Sequence, residues 1–408
     1  MAKTGFDKTR LETLKLWMQR YIDERKYPGS SVLLYQNGSE VFHHAAGLRD
    51  IERELVFNRD TIVRLYSMTK PITSTALMIL VEKGLCHLEA PVSEYIPRFS
   101  DMWALIPGAK SLDQCSSCDT PTLHQLLTHT SGLSYGFNSG LVPGVMREQC
   151  LNFNPDNKVL AEVCDRLAEL PLCFAPGQRW EYSVSIDVIG RVVETISGMP
   201  LYDFLDREIF KPLNMLETGF RFKESMRGRI ASLYTPLSGD AMELNSAEKG
   251  KETLRLVEEE ARSPYWDTKM CSGGAGLVGT LDDYMAFADV LRTGMTYSGH
   301  RLLSPKTLEF MMNNHLTGEI ASMGPQSFAE QPMEGMGFGI GGAVVLNPAR
   351  ARTPGHIGDF GWGGMASTFF WLDRNSGITV IFLTQLSPSS SYPSRSQLKG
   401  IIHGAMIG

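Results

Sequence analysis

The chain has 408 residues, 43% hydrophobic and 21% charged, which suits a protein with a large buried core and excludes disordered and disulfide-stapled chains. Its 39 Lys and Arg against 45 Asp and Glu leave a net charge of −6, which argues against a nucleic-acid or anionic-membrane partner. No apolar run approaches the roughly 18 residues of a bilayer span, and no apolar signal region follows Met1, so a cytoplasmic protein is expected.

Apolar residues Leu11, Leu14, Trp17, Met18, Tyr21 and Ile22 recur at helical spacing and predict a helix over residues 7–25, stopped by Pro28-Gly29. Strands over residues 31–36 and 40–45 flank Asn37-Gly38, a pair that supplies the positive φ angles of a tight hairpin. A short strand over 61–65 leads into a helix over 67–83, ended by Gly84. The middle of the chain reads as helical, over 123–127, 158–169, 185–196 and 201–209, with a charged solvated helix over 247–262. Strand patterning then returns over 338–346, 367–372 and 378–384, before a final helix over 394–406. Strands at both ends with helices between predict an α/β domain formed by residues 1–92 and 265–408. A mostly helical domain over 93–264 is inserted in it.

Seven cysteines, an odd number and mostly in apolar contexts, fit reduced thiols. Cys115 and Cys118 lie in a polar stretch without the two further ligands of a zinc site, so this pair reads as a loop. None of the nine histidines falls in a His-Glu-x-x-His pattern. No metal and no cofactor are expected.

Three stretches carry candidate chemistry. In Ser67-Met68-Thr69-Lys70, Ser67 falls at the start of a helix and Lys70 lies on the same face one turn on. A lysine held in a partly buried site can serve a serine nucleophile, although the bare tetrad also reads as an N-cap serine with an exposed lysine. Tyr182 follows the Pro176-Gly177 turn just ahead of a helix, where a neighbouring ammonium would let its phenol accept a proton. The glycine-rich stretch from His356 to Gly364 leads into a strand whose backbone N–H groups a substrate could use.

In this order and spacing, the three resemble the serine β-lactamase and penicillin-binding-protein superfamily. Within it the chain is similar to the family VIII carboxylesterases, which share the class C β-lactamase fold. Arg64 to Pro71, the stretch His124 to Leu133, and Ser272-Gly273-Gly274-Ala275-Gly276-Leu277 extend the likeness across nearly the whole sequence. The resemblance implies an antiparallel sheet flanked by helices, with Ser67 as nucleophile and Lys70 with Tyr182 as the proton-transfer pair. It implies an oxyanion hole from the backbone N–H groups of Ser67 and Met365. Substrate contacts would come from Trp362, Gly363, Gly364, His356 and Val184, His356 more in shaping its loop.

Two departures point away from β-lactams. Val184 stands where class C β-lactamases carry the asparagine of Tyr-x-Asn, and Trp362-Gly363-Gly364 replaces their Lys-Thr-Gly. An aromatic wall in place of a cation suits an uncharged ester. The expected function is therefore a serine carboxylesterase acting on small-molecule esters. The superfamily also includes a fungal acyltransferase of statin biosynthesis, so an alcohol acceptor in place of water is an alternative; a β-lactamase or D-alanyl peptidase is a more distant one. A competing motif, Gly132-Leu133-Ser134-Tyr135-Gly136, matches the G-x-S-x-G nucleophile elbow, but it follows helix-like residues and precedes a loop, the wrong setting for an elbow.

Overall fold

A computed structural model describes residues 5–238, 254–296, 299–328, 331–389 and 391–407. Eight strands form one antiparallel sheet: β1 (Gly29–Gln36), β2 (Ser39–Asp50), β3 (Leu55–Val56), β4 (Met336–Phe338), β5 (Ala343–Val345), β6 (Phe360–Gly363), β7 (Phe369–Asp373) and β8 (Ile378–Thr384). Their spatial order is β4-β5-β6-β7-β8-β1-β2-β3. The two ends of the chain meet where β8 pairs with β1, from Ile378 opposite Gln36 to Thr384 opposite Ser30. The β1–β2 hairpin turns at Asn37 and Gly38, with φ of 50° and 79°, as that dipeptide predicts.

Both faces of the sheet are covered, so β8 is buried along its whole length and reads as an unbroken apolar run. On one face, Val32, Leu34, Val380 and Phe382 pack on helix α1 (Lys8–Asp23), capped by the Asp7 carboxylate, and on the C-terminal helix. Trp17 of α1 donates to Gln397 Oε1 at 2.7 Å and ties those two helices together. On the other face, Leu33, Phe370, Leu372 and Ile381 join a larger core with α2 (Thr69–Glu82), α3 (Ser185–Ser197) and α4 (Leu281–Thr293). The C-terminal helix is α5 (Ser394–Gly404).

Several sequence expectations need correction. Residues 338–346 are not one strand: they run from the last residue of β4 through a turn, where Gly341 has φ of 88°, into β5. Of the expected helix over 247–262, residues 247–253 lie outside the described residues. Arg255–Glu258 is a strand paired with Leu233–Thr235, where Glu258 binds the buried Arg64 guanidinium, and Glu260–Arg262 is a single turn. Cys115–Ser117 is a strand rather than a loop, paired with Trp103–Leu105. The helix over 201–209 divides into Leu201–Leu205 and a wider π turn, Asp206–Phe210. Among the described residues, no helix is long and apolar enough to cross a membrane.

Candidate active site

Ser67 sits in the single turn Tyr66–Met68 that opens α2. Tyr66, just before it, is left-handed with φ of 47°, a conformation a non-glycine residue keeps only when its surroundings enforce it. They do so here. Leu65 N–H donates to Leu277 O at 2.9 Å, Leu277 N–H to Thr69 Oγ1 at 3.1 Å, and the Tyr284 hydroxyl to Met68 O at 2.8 Å.

One turn on, Lys70 is fully buried. Its Nζ donates to Ser67 Oγ at 3.3 Å, to the Tyr135 hydroxyl at 2.9 Å and to Gly274 O at 2.9 Å. It also lies 4.5 Å from the centre of the Tyr182 ring. The structure thus brings Ser67, Lys70 and Tyr182 together, and it adds Tyr135. Tyr135 is not among the residues that the motifs single out, because it sits inside the competing G-x-S-x-G motif, whose signature residue is the serine. Nothing local marks it, since its partner is 65 residues away in sequence. Burial, then its neighbours Tyr182 and Asp187, push the Tyr135 phenol well above its usual range.

The turn carrying Tyr182 is fastened from behind. His129 Nδ1 meets Ser183 Oγ at 3.0 Å, and Ser183, Ser185 and Ser131 link hydroxyl to hydroxyl at 2.7 Å each. Asn138 Nδ2 donates to Tyr182 O at 3.1 Å and to Ser134 Oγ at 3.0 Å. Burial, aided by the Lys70 charge, holds the His129 imidazole well below its ordinary value, so it stays neutral.

These groups open onto a cavity of about 760 Å³. Ser67, Tyr135, Tyr182, Trp362, Gly363, Gly364 and Met365 all line it. Gly364 passes so close to the nucleophile turn that a β-carbon there would lie 2.3 Å from Leu65 O, which explains the need for glycine. Trp362 Nε1 donates to the Tyr182 hydroxyl at 3.4 Å. Its ring stacks on Phe328 (5.7 Å, 14°) and meets Phe338 edge-on (5.2 Å, 88°), giving an aromatic wall.

Two expected substrate contacts lie elsewhere. Val184 is a core residue capping α3, with its N–H on Ser134 O at 3.3 Å. His356 is half exposed outside the cavity lining, its Nδ1 paired with Asp373 Oδ2 at 2.8 Å. The ligand atoms of His356, Asp359 and Asp373 lie within 4.8 Å of one another, a spacing that a metal ion could use. The Lys399 ammonium already faces both carboxylates there. Ser134 is buried and does not line the cavity.

Residues 14–402 match the Beta-lactamase family. The chain belongs to the beta-lactamase family. Protein Rv1367c of Mycobacterium tuberculosis (strain ATCC 25618 / H37Rv) is 32% identical over 379 residues, covering 91% of this chain and 89% of its relative. Esterase EstB of Burkholderia gladioli is also 32% identical, over 367 residues, with 88% and 86% covered. Among solved structures, EstCE1, described as a hydrolase with promiscuous acyltransferase activity, matches with a TM-score of 0.77 at 27% identity. The match covers 97% of this chain and 98% of that one. Simvastatin synthase (LovD) from Aspergillus terreus shares the fold at a TM-score of 0.77 and 24% identity, with 97% of each chain covered. This beta-lactamase-family chain is a serine hydrolase with the beta-lactamase-like fold expected from its motifs.

Proposed function

We propose that this protein is a carboxylesterase that cleaves uncharged short-chain or aromatic esters through an acyl-enzyme on Ser67. The observation that carries the reading is Lys70 Nζ, buried in contact with Ser67 Oγ and over the Tyr182 ring, while Ser67, Tyr182 and Trp362 line the cavity. Tyr182, polarised by the Lys70 ammonium, takes the Ser67 proton as Oγ bonds to the ester carbonyl carbon. The N–H groups of Ser67 and Met365 hold the oxyanion. As the C–O bond breaks, Tyr182 returns the proton to the leaving alkoxide. Water then attacks the acyl-enzyme by the same route, releasing the acid and restoring Ser67.

An alcohol in place of water would make the reaction acyl transfer. The likeness to EstCE1 supports this second reading, as does the 26% identity to monacolin J acid methylbutanoyltransferase of Aspergillus terreus. We retain residues 93–264 as the inserted domain that supplies Tyr135 and Tyr182 to the site.

The wall predicts the substrate class. A β-lactam is oriented by contacts to its carboxylate and amide, and each lost charge-assisted hydrogen bond costs roughly 1.5–3 kcal/mol. Two such losses compound to about 10²–10⁴ in kcat/KM. p-Nitrophenyl butyrate needs neither contact and gains from the Trp362 and Phe328 rings. It should therefore be cleaved about 10²–10⁴-fold faster than nitrocefin. Equal kcat/KM for the two would overturn the esterase reading in favour of a β-lactamase. Running the ester assay with added alcohols and quantifying ester product separates hydrolysis from transfer.

A further inference from the structure

The hydrogen bonds of Lys70 continue beyond Gly274 along the cavity-lining residues Ser272 and Ala275 to Asp187, which does not line the cavity. Lys70 Nζ donates to Gly274 O at 2.9 Å. The other end of that same peptide unit, the Ala275 N–H, donates to Ser272 Oγ at 3.0 Å. The Ser272 hydroxyl in turn donates to Asp187 Oδ1 at 2.5 Å, where the Gly274 N–H also arrives at 3.0 Å. An ammonium and a carboxylate are thus joined through one peptide group and one hydroxyl, each link oriented from the positive end to the negative.

Lys70, Ser272 and Asp187 are all buried. A buried ammonium is costly without compensation, and so is a buried carboxylate. The three hydrogen bonds of Lys70 go to neutral groups. Asp187 is the carboxylate on the far side of that neutral shell, and the two charges act on each other. The chain polarises the Gly274 carbonyl towards Lys70, because each group that donates becomes a better acceptor.

We propose that Asp187 is a positioning residue of the reaction: through Ser272 and the Gly274–Ala275 peptide it holds the Lys70 side chain against Ser67. The proposal rests on the reading of Ser67 and Lys70 as the nucleophile and its cationic partner. It goes beyond that reading in assigning the placement of Lys70 to Asp187 on α3, which does not line the cavity.

A pH dependence follows. Facing Asp187 are Lys70 from α2, Tyr135 from the preceding loop, Cys164 from the helix Leu160–Leu167 and the Ser272 hydroxyl. Burial pushes the Asp187 carboxyl up to about 6, although Lys70 and its hydrogen bonds pull it down. Burial pushes the Tyr135 phenol and Cys164 thiol well above their usual ranges, and the His129 imidazole well below its own. Those three stay neutral near pH 6. Asp187 is ionised above about 6 and takes up a proton below it, so the anionic end of the chain is lost as pH falls through that value. Activity should fall with it.

The test is the pH profile of kcat for p-nitrophenyl butyrate in the full-length protein, with folding checked by circular dichroism. Asp187→Asn keeps the shape and both acceptor bonds but removes the charge. It should lower the plateau kcat about 10–100-fold, leave KM within about twofold, and abolish the acid limb near pH 6. Ser272→Ala breaks the chain while keeping the carboxylate and should also lose about tenfold in kcat. The double variant should be no worse than Asp187→Asn alone. Asp359, whose carboxyl burial also pushes up to about 6, lines the cavity elsewhere; Asp359→Asn should keep the acid limb.

If Asp187→Asn fails to fold, Ser272→Ala decides by the same split between kcat and KM. Wild-type kcat and an unchanged acid limb in the folded variants would overturn the proposal, as would an acid limb that vanishes in Asp359→Asn alone. A fluorophosphonate that still labels Ser67 in those cases would leave the catalytic reading standing. Absence of labelling in the wild type would remove that reading first.

Discussion

Ser67→Ala is expected to lower kcat/KM for p-nitrophenyl butyrate by at least about 10⁴-fold, because the nucleophile of an acyl-enzyme mechanism has no substitute. Ser134→Ala should stay within about tenfold of wild type. The contrast follows from where the two serines lie. Ser67 lines the cavity with its Oγ on Lys70 Nζ, whereas Ser134, whose Oγ accepts from Asn138 Nδ2 at 3.0 Å, does not line it. Steady-state rates of the two purified variants check it. A large loss in Ser134→Ala with activity retained in Ser67→Ala would reverse the assignment.

Lys70→Ala and Tyr182→Phe should each lower kcat by about 10³-fold or more, and the double variant should be little worse than either. Groups that move one proton as a unit fail together, so their losses do not multiply. Tyr135 sharpens the experiment, because its hydroxyl, rather than that of Tyr182, receives the hydrogen bond from Lys70 at 2.9 Å. In the relay proposed here Tyr135 holds the ammonium in place while Tyr182 carries the proton. Tyr135→Phe should therefore lose less, about tenfold. A Tyr135→Phe loss as deep as that of Tyr182→Phe, with a mild Tyr182→Phe, would move the proton carrier to the other tyrosine. Losses that multiply in the Lys70/Tyr182 double variant would mean that the two do not act as a unit.

The sequence announces the parts of this fold that local rules determine. The Asn37-Gly38 turn, the apolar spacing of α1 and the unbroken apolar run of β8 are each fixed by residues within one element. Residues 338–346 read as one strand because a strand and a tight hairpin share the same apolar composition, and only the positive φ of Gly341 separates them. The helix α4, absent from the sequence expectations, carries ordinary signals: Thr280 caps it, Asp282 and Asp283 occupy its first turn, and Gly294 ends it left-handed.

The site divides along the same line. Ser67 and Lys70 are one helical turn apart, so their contact follows from spacing. Tyr135, Asp187 and Ser272 reach Lys70 only when three separate segments fold together, and no periodicity encodes that meeting. His356 and Val184 sit next to true cavity residues in sequence yet point elsewhere. His356 is drawn off by Asp373, and Val184 by the core under α3.

In the proposed mechanism Ser67 is the residue that becomes acylated. Incubating the protein with a fluorophosphonate and locating the adduct by peptide mass spectrometry tests it without any assumption about the natural ester. A single stoichiometric adduct on Ser67 is expected, absent from Ser67→Ala and formed much more slowly in Lys70→Ala. An adduct on Ser134, or on any other residue with Ser67 unmodified, would contradict it.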